Sequence, residues 1–302
     1  MCGAEIFPLM LEKTIVPMLY HGFDAHSGAH MLRADYALMD PFIGVDSYTM
    51  PQPFFGAHPH AGMSAVSLML PEAEGGFINR DSLGDHSHIR PGDLHWTQAG
   101  RGMVHEEVPS EPGKAARGMQ IFVNMRRAHK QAEPVAFKVS HESIPHVVVE
   151  GGSVRVVAGS FADQSSPITQ DDRWLTRVNM LDITLAPGAQ LDIPVAAGDN
   201  AFFVIRSGQY RSSALVNTAL SAIIFGASQA NSSGVKREVN SGQIMARITA
   251  GDEALRGVFF SGTPIGEPIF SDGPFMGNTA EDIVAYKRAF ARGEMGSLQS
   301  SF

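Results

Sequence analysis

The chain has 302 residues, of which 44% are hydrophobic and 18% charged, a balance that excludes the disordered class and belongs to a folded globular protein. A formal net charge of −8 offers no cationic face to neutralise phosphates, so direct binding of nucleic acid is not expected. The one cysteine, Cys2, cannot make an internal disulfide; this fits a reducing compartment and gives the thiol no assigned role.

Glu5, Glu12, Lys13 and Asp24 interrupt the apolar residues of the opening segment, so no secretory leader is expected there. No stretch reaches the roughly 18 consecutive apolar residues of a transmembrane helix, and the cytoplasm is the expected location. At roughly 100–200 residues per domain the length predicts two domains.

Short apolar stretches then follow one another, punctuated by Gly, Pro, Asp and Asn. In the first half Ala65–Leu70 and Gln120–Asn124 are each long enough to cross a sheet once. From Arg126 to Pro145 the chain turns polar, with Arg127, Lys130, Gln131 and Glu133, which predicts a connection between domains; the division expected is 1–138 and 139–302. Strands are next expected at Val154–Ala158, Leu181–Leu185, Ala201–Ile205 and Ile244–Ile248. Asn231-Ser232-Ser233 fits a glycosylation acceptor, but in a protein that is not secreted it reads as a loop. Pro91-Gly92-Asp93 and Pro187-Gly188-Ala189 place similar turns in both halves, as a duplicated β-barrel unit would. Near the end Thr279 caps and Asp282 follows three residues later. Ile283, Val284, Tyr286, Ala289 and Phe290 then precede Gly293, which predicts one short helix packed on a barrel. So many strands with so little helix predict an all-β protein.

Histidine is distributed unevenly. All twelve lie at or before His146, so any histidine chemistry belongs to the first domain. His58-Pro59-His60 places two imidazoles at i and i+2, on one face of an extended strand. His105-Glu106-Glu107 repeats the spacing, with His105 and Glu107 on one face and Glu106 on the other; two such strands complete a four-ligand site. Three imidazoles and a carboxylate without thiolate suit Fe(II), Mn(II), Ni(II) or Zn(II), and an octahedral ion keeps two positions for water, substrate or oxygen. His86 and His88 form a rival pair with the same spacing, but the surrounding turn residues assign them to a loop rim. His95, beside Trp96, reads as structural or pocket-lining, and His21, His26, His30, His129, His141 and His146 as solvated.

Further segments carry a resemblance. Asp40-Pro41-Phe42, His58-Pro59-His60 with Gly62, Arg80 to Gly84, Ile89 to Asp93, and the run from Trp96 through Ala99-Gly100-Arg101-Gly102 to His105, Glu107 and Pro109 are its first half. Gly266-Glu267-Pro268-Ile269 and Gly273-Pro274-Phe275 with Asn278-Thr279 are its second. Together they resemble the pirin family of the cupin superfamily over nearly the whole chain. The resemblance implies two consecutive cupin (jelly-roll-like) β-barrels with a short C-terminal helix. It also implies an iron-type metal held in the first barrel by His58, His60, His105 and Glu107, and a second barrel without ligands. Two departures stand out: Ser64 where pirins usually carry Glu, and Asn79 where they often carry His.

Some pirins are similar to quercetin 2,3-dioxygenases, so the resemblance implies a metal-dependent, ring-opening dioxygenation of a flavonol or another small enolic aromatic substrate. Glu107 would then be the catalytic proton acceptor, and Phe54, Phe55 and Met63 either an apolar wall for the substrate or barrel core. A second expectation is a non-enzymatic, iron- or redox-sensing protein acting on a protein partner. A third is a cupin enzyme such as an isomerase, using its metal only as a Lewis acid.

Overall fold

The computed structural model describes residues 9–10, 12–24, 27–212, 216–218, 220–226 and 244–302; Cys2, His26 and Asn231–Ser233 lie outside them. Met63–Met69 is the strand about which the first barrel is organised. It pairs antiparallel with Leu94–Gln98 on one side and Ala116–Asn124 on the other. Side chains alternate along a strand, so its two faces differ in use. Val66 and Leu68 join Val45, Trp96 and Ile121 in an apolar core, whereas Met63 and Ser67 point into the barrel.

The full sheet has seven strands, in the order Val135–Val139, Leu94–Gln98, Met63–Met69, Ala116–Asn124, Phe42–Met50, Gly28–Leu32 and Leu19–Gly22. A four-stranded sheet of His58–His60, Met103–Pro109, Phe77–Asp81 and His86–Ile89 closes the barrel. The second barrel repeats the plan with a seven-stranded and a three-stranded sheet, and its interior is filled by Val154, Leu181, Phe203, Phe225, Ile248, Phe259 and their neighbours. The protein is thus all-β, with two cupin-type barrels. A capping box of Thr279 and Asp282 starts the C-terminal helix Ala280–Ala291, which buries Ile283 and Tyr286. Among the described residues no helix is long and apolar enough to cross a membrane.

The chain ends cross between the barrels. Glu12–Pro17 pairs with Ser221–Gly226 in the second barrel, while the helix packs its apolar side on Ala61 and Val104 of the first. The polar stretch Arg126–Pro145 carries structure of its own. Val135–Val139 within it is the edge strand beside Leu94–Gln98, and Lys130 is buried, donating to the Gly62 carbonyl and to Oδ1 of Asn124, both at 2.7 Å. The polarity of Lys130 serves buried hydrogen bonds, which composition does not distinguish from exposure.

The largest apolar core lies between the two seven-stranded sheets. Val45, Val66, Trp96 and Ile121 meet Phe202, Val204, Ile224 and Phe260 there. The Phe202 and Phe260 rings stack at 4.8 Å, with Phe42 edge-on to both. Phe260→Ala is expected to cost about 3–5 kcal/mol in chemical unfolding, the usual cost of a cavity left by a fully buried phenylalanine. A change under about 1 kcal/mol would mean that the two barrels do not share one core.

Candidate metal centre

His58 and His60 project from one short strand because their i, i+2 spacing sets both on the same side of it. That strand pairs antiparallel with Met103–Pro109, and the register places His105 opposite His58. The three imidazole centroids stand 4.7–5.0 Å apart, and one ligating atom from each lies within 4.8 Å of the others. Nδ1 of His58 faces the Gly56 carbonyl at 2.8 Å; that bond fixes the ring and leaves Nε2 as its lone-pair nitrogen. Nδ1 of both His60 and His105 is buried without a partner.

Burial is the main cause that keeps these rings neutral. It lowers the pKa of His58, holds His60 down at about 3 with help from the neighbouring His58, and drives His105 well below the ordinary range, with His60 and His58 adding to the effect. A neutral imidazole is the form that ligates. Three of them converging, two with an orphaned buried nitrogen, therefore fit a divalent transition metal.

Glu107 stands outside this cluster. Its carboxylate accepts a 2.8 Å hydrogen bond from the hydroxyl of Ser67, which also lies 3.0 Å from the side-chain amide of Gln120. Burial pushes the Glu107 pKa up to about 7, opposed by the Ser67 bond. His95 is fully buried behind it, with Nδ1 3.9 Å from Glu107 and Nε2 4.0 Å from Asp85; neither nitrogen is hydrogen-bonded. Burial lowers the His95 pKa to about 4.

Ser64 and Asn79 have different surroundings. Ser64 shares the alternation of Val66 and Leu68 and is paired across the sheet with Gln98 and Val123, so it belongs to the face turned to the second barrel. Asn79 is buried, is the cross-strand partner of Glu107 and donates to Asp85 at 2.8 Å. His86 and His88 are exposed on the edge strand, away from the cluster. Among the other histidines, His21, His141 and His146 are exposed and His30 and His129 half-buried.

The triad opens into a cavity of about 430 Å³ whose walls include Phe23, Phe54, Phe55, Met63 and Phe122. Phe23, Phe54 and Phe55 form an aromatic group, with centroids 4.8–5.5 Å apart. The rest of the lid comes from far along the chain: Ser271, Gly273, Pro274 and Met276 lie on the hairpin that Phe270–Asp272 forms with Phe275–Gly277. Gly62 makes room for it, because a Cβ there would sit 1.9 Å from the Met276 carbonyl oxygen. Behind the ligand sheet the residues that follow the helix form a strap. The Ser301 amide and hydroxyl donate to Glu106 at 3.0 and 2.9 Å, Arg80 pairs with Glu106, and Met295 packs over Gly102.

A cupin barrel that gathers three histidines, two buried and one half-buried, on paired strands forms a site that fits a metal ion. The pirin family profile matches residues 24–123 and the pirin C-terminal cupin domain profile matches residues 180–296, and the chain belongs to the pirin family. A pirin-like protein of Solanum lycopersicum is 30% identical over 97% of this chain and 94% of its own length. Among solved structures, a quercetin 2,3-dioxygenase from Acinetobacter baumannii superposes with a TM-score of 0.79 at 23% identity, over 94% of this chain and 97% of the other. A bacterial pirin from Escherichia coli, solved in complex with nickel(II), matches with a TM-score of 0.59 at 15% identity, over 84% of this chain and 99% of the other.

Proposed function

We propose that this protein is a metal-dependent oxygenase of the quercetin 2,3-dioxygenase type, acting on a flavonol or a similar small enolic aromatic molecule, with Fe(II) as its ion. The observation that carries this reading is the opening of the histidine triad into an aromatic-walled cavity with a protonatable carboxylate beside it. His58, His60 and His105 are the fixed ligands and Glu107 an exchangeable fourth. A divalent ion held there supplies Lewis acidity at the enol and the redox chemistry that oxygen requires.

The protein's own groups divide the remaining work. Phe54, Phe55 and Phe122 hold the aromatic rings against the ligand strands and exclude water. Glu107 takes the enol proton on a carboxylate oxygen, since a carboxyl buried to a pKa of about 7 is a competent base near neutral pH. Ser67 keeps donating to that carboxylate and holds it at the cavity wall.

The test is oxygen uptake by protein loaded anaerobically with Fe(II), with quercetin added, beside His58→Ala prepared identically. Uptake that is abolished in the variant is expected. No uptake from iron-loaded protein would sink the oxygenase reading. It would favour either an iron-sensing role exercised through a protein partner or a non-oxidative cupin enzyme.

A further inference from the structure

One charged pair faces the same cavity and has no part in holding the metal. Arg33 and Asp46 line it together with Phe23, Ile43, Met50 and Phe54. Arg33 donates through both terminal nitrogens to the two oxygens of Asp46, with Nη2 at 3.0 Å, and Nη1 also bonds the Leu32 carbonyl at 2.8 Å. Glycine at position 44 makes this arrangement possible: a Cβ there would meet Arg33 Nη1 at 2.8 Å, so the guanidinium lies directly on the strand. The Asp46 side chain is 14% exposed and that of Arg33 42%. The pair thus stands where the apolar wall meets solvent, with its unused donors and acceptors open to a ligand.

The strand register shows where the pair stands. Across the seven-stranded sheet Asp46 is paired with Gln120, Gln120 with Ser67, and Ser67 with His95. These side chains form one polar row across the barrel wall, with the Glu107 carboxylate bound at Ser67. Asp46 lies two strand spacings from Ser67, about 10 Å at roughly 4.8 Å per strand. A molecule that presents an enol to the metal and extends along the row therefore brings its far end to Arg33 and Asp46.

We propose that Arg33 and Asp46 form a polar subsite for vicinal hydroxyl groups on the distal ring of an aromatic substrate. Two acceptor positions of the Asp46 carboxylate remain after Arg33 is served, and Arg33 keeps Nε–H and one Nη2–H. A diol can donate to the first and accept from the second. The negative charge of Asp46 disfavours a substrate carboxylate at the same place. This inference rests on the aromatic-enol reading above.

The experiment is calorimetric titration, without oxygen, of Zn(II)-loaded protein with quercetin and with galangin, the same flavonol lacking the catechol hydroxyls. Zinc permits binding without turnover. The wild type is expected to bind quercetin about tenfold or more tightly than galangin, the effect of hydrogen bonds to charged groups. Asp46→Asn should bring quercetin to the galangin affinity and leave galangin unchanged, with one zinc per chain reporting an intact barrel. Asp46→Ser serves in its place should the first variant misfold. Equal affinities in the wild type, or a preference that survives both variants, overturn the subsite alone. Binding of neither flavonol overturns the aromatic-enol reading and the subsite with it.

Discussion

His105→Ala is expected to leave the protein folded and unable to retain its metal. His105 is central to the triad, 4.7 Å from the His58 ring and 5.0 Å from that of His60, on a strand paired with both His58–His60 and Phe77–Asp81. Alanine preserves that pairing, which is made by the backbone, and removes one of three nitrogen donors. Loss of a partner that merely orients a ligand costs roughly 10- to 100-fold in metal affinity, so loss of the ligand itself should exceed that range. Metal analysis after gel filtration should give about one ion per chain for the wild type and close to none for the variant. The rise in melting temperature on adding metal should vanish in parallel, because ligand stabilisation scales with occupancy. His88→Ala, on the exposed edge strand, is the control and should keep its ion. Full occupancy in His105→Ala would place the metal elsewhere, with His86 and His88 the next residues to test.

Glu107→Gln separates holding the metal from using it. The amide is nearly the same size and its oxygen still accepts from Ser67, so the strand and the three imidazoles should be undisturbed. An amide does not take up a proton near neutral pH. If Glu107 removes the enol proton, turnover should fall by roughly 100- to 10,000-fold, the usual contribution of a positioned general base. The metal content should stay at about one ion per chain. Undiminished turnover would remove the base assignment, and loss of metal along with turnover would make Glu107 a firm ligand.

The sequence made the local chemistry legible because strand alternation is a local rule. His-x-His and His-x-Glu on extended backbone must each present two side chains to one side, and the confinement of histidine to the first half fixed which barrel could be reactive. Short punctuated apolar runs specified an all-β chain, and Thr279 with Asp282 specified the helix start, since a capping box is complete within four residues. Phe54, Phe55 and Met63 were candidates for an apolar wall by proximity to the ligands, and all three line the cavity.

What the sequence left undetermined depends on register between distant strands. That Ser67, not the metal triad, receives Glu107 follows from a contact across forty positions, and no pattern within either strand encodes it. The same holds for His95 behind Glu107, for the polar row ending at Asp46, and for the lid at Ser271–Met276. Lys130 reads as one residue of a polar connection, yet it is buried, with the Gly62 carbonyl and Asn124 converging on it. By itself the sequence determined the fold class, the barrel that carries the histidines and the residue types available for a metal. The tertiary structure decided which of them meet: hydrogen bonding between strands sets side chains from distant positions face to face, and that register is a property of the folded sheet rather than of any one segment.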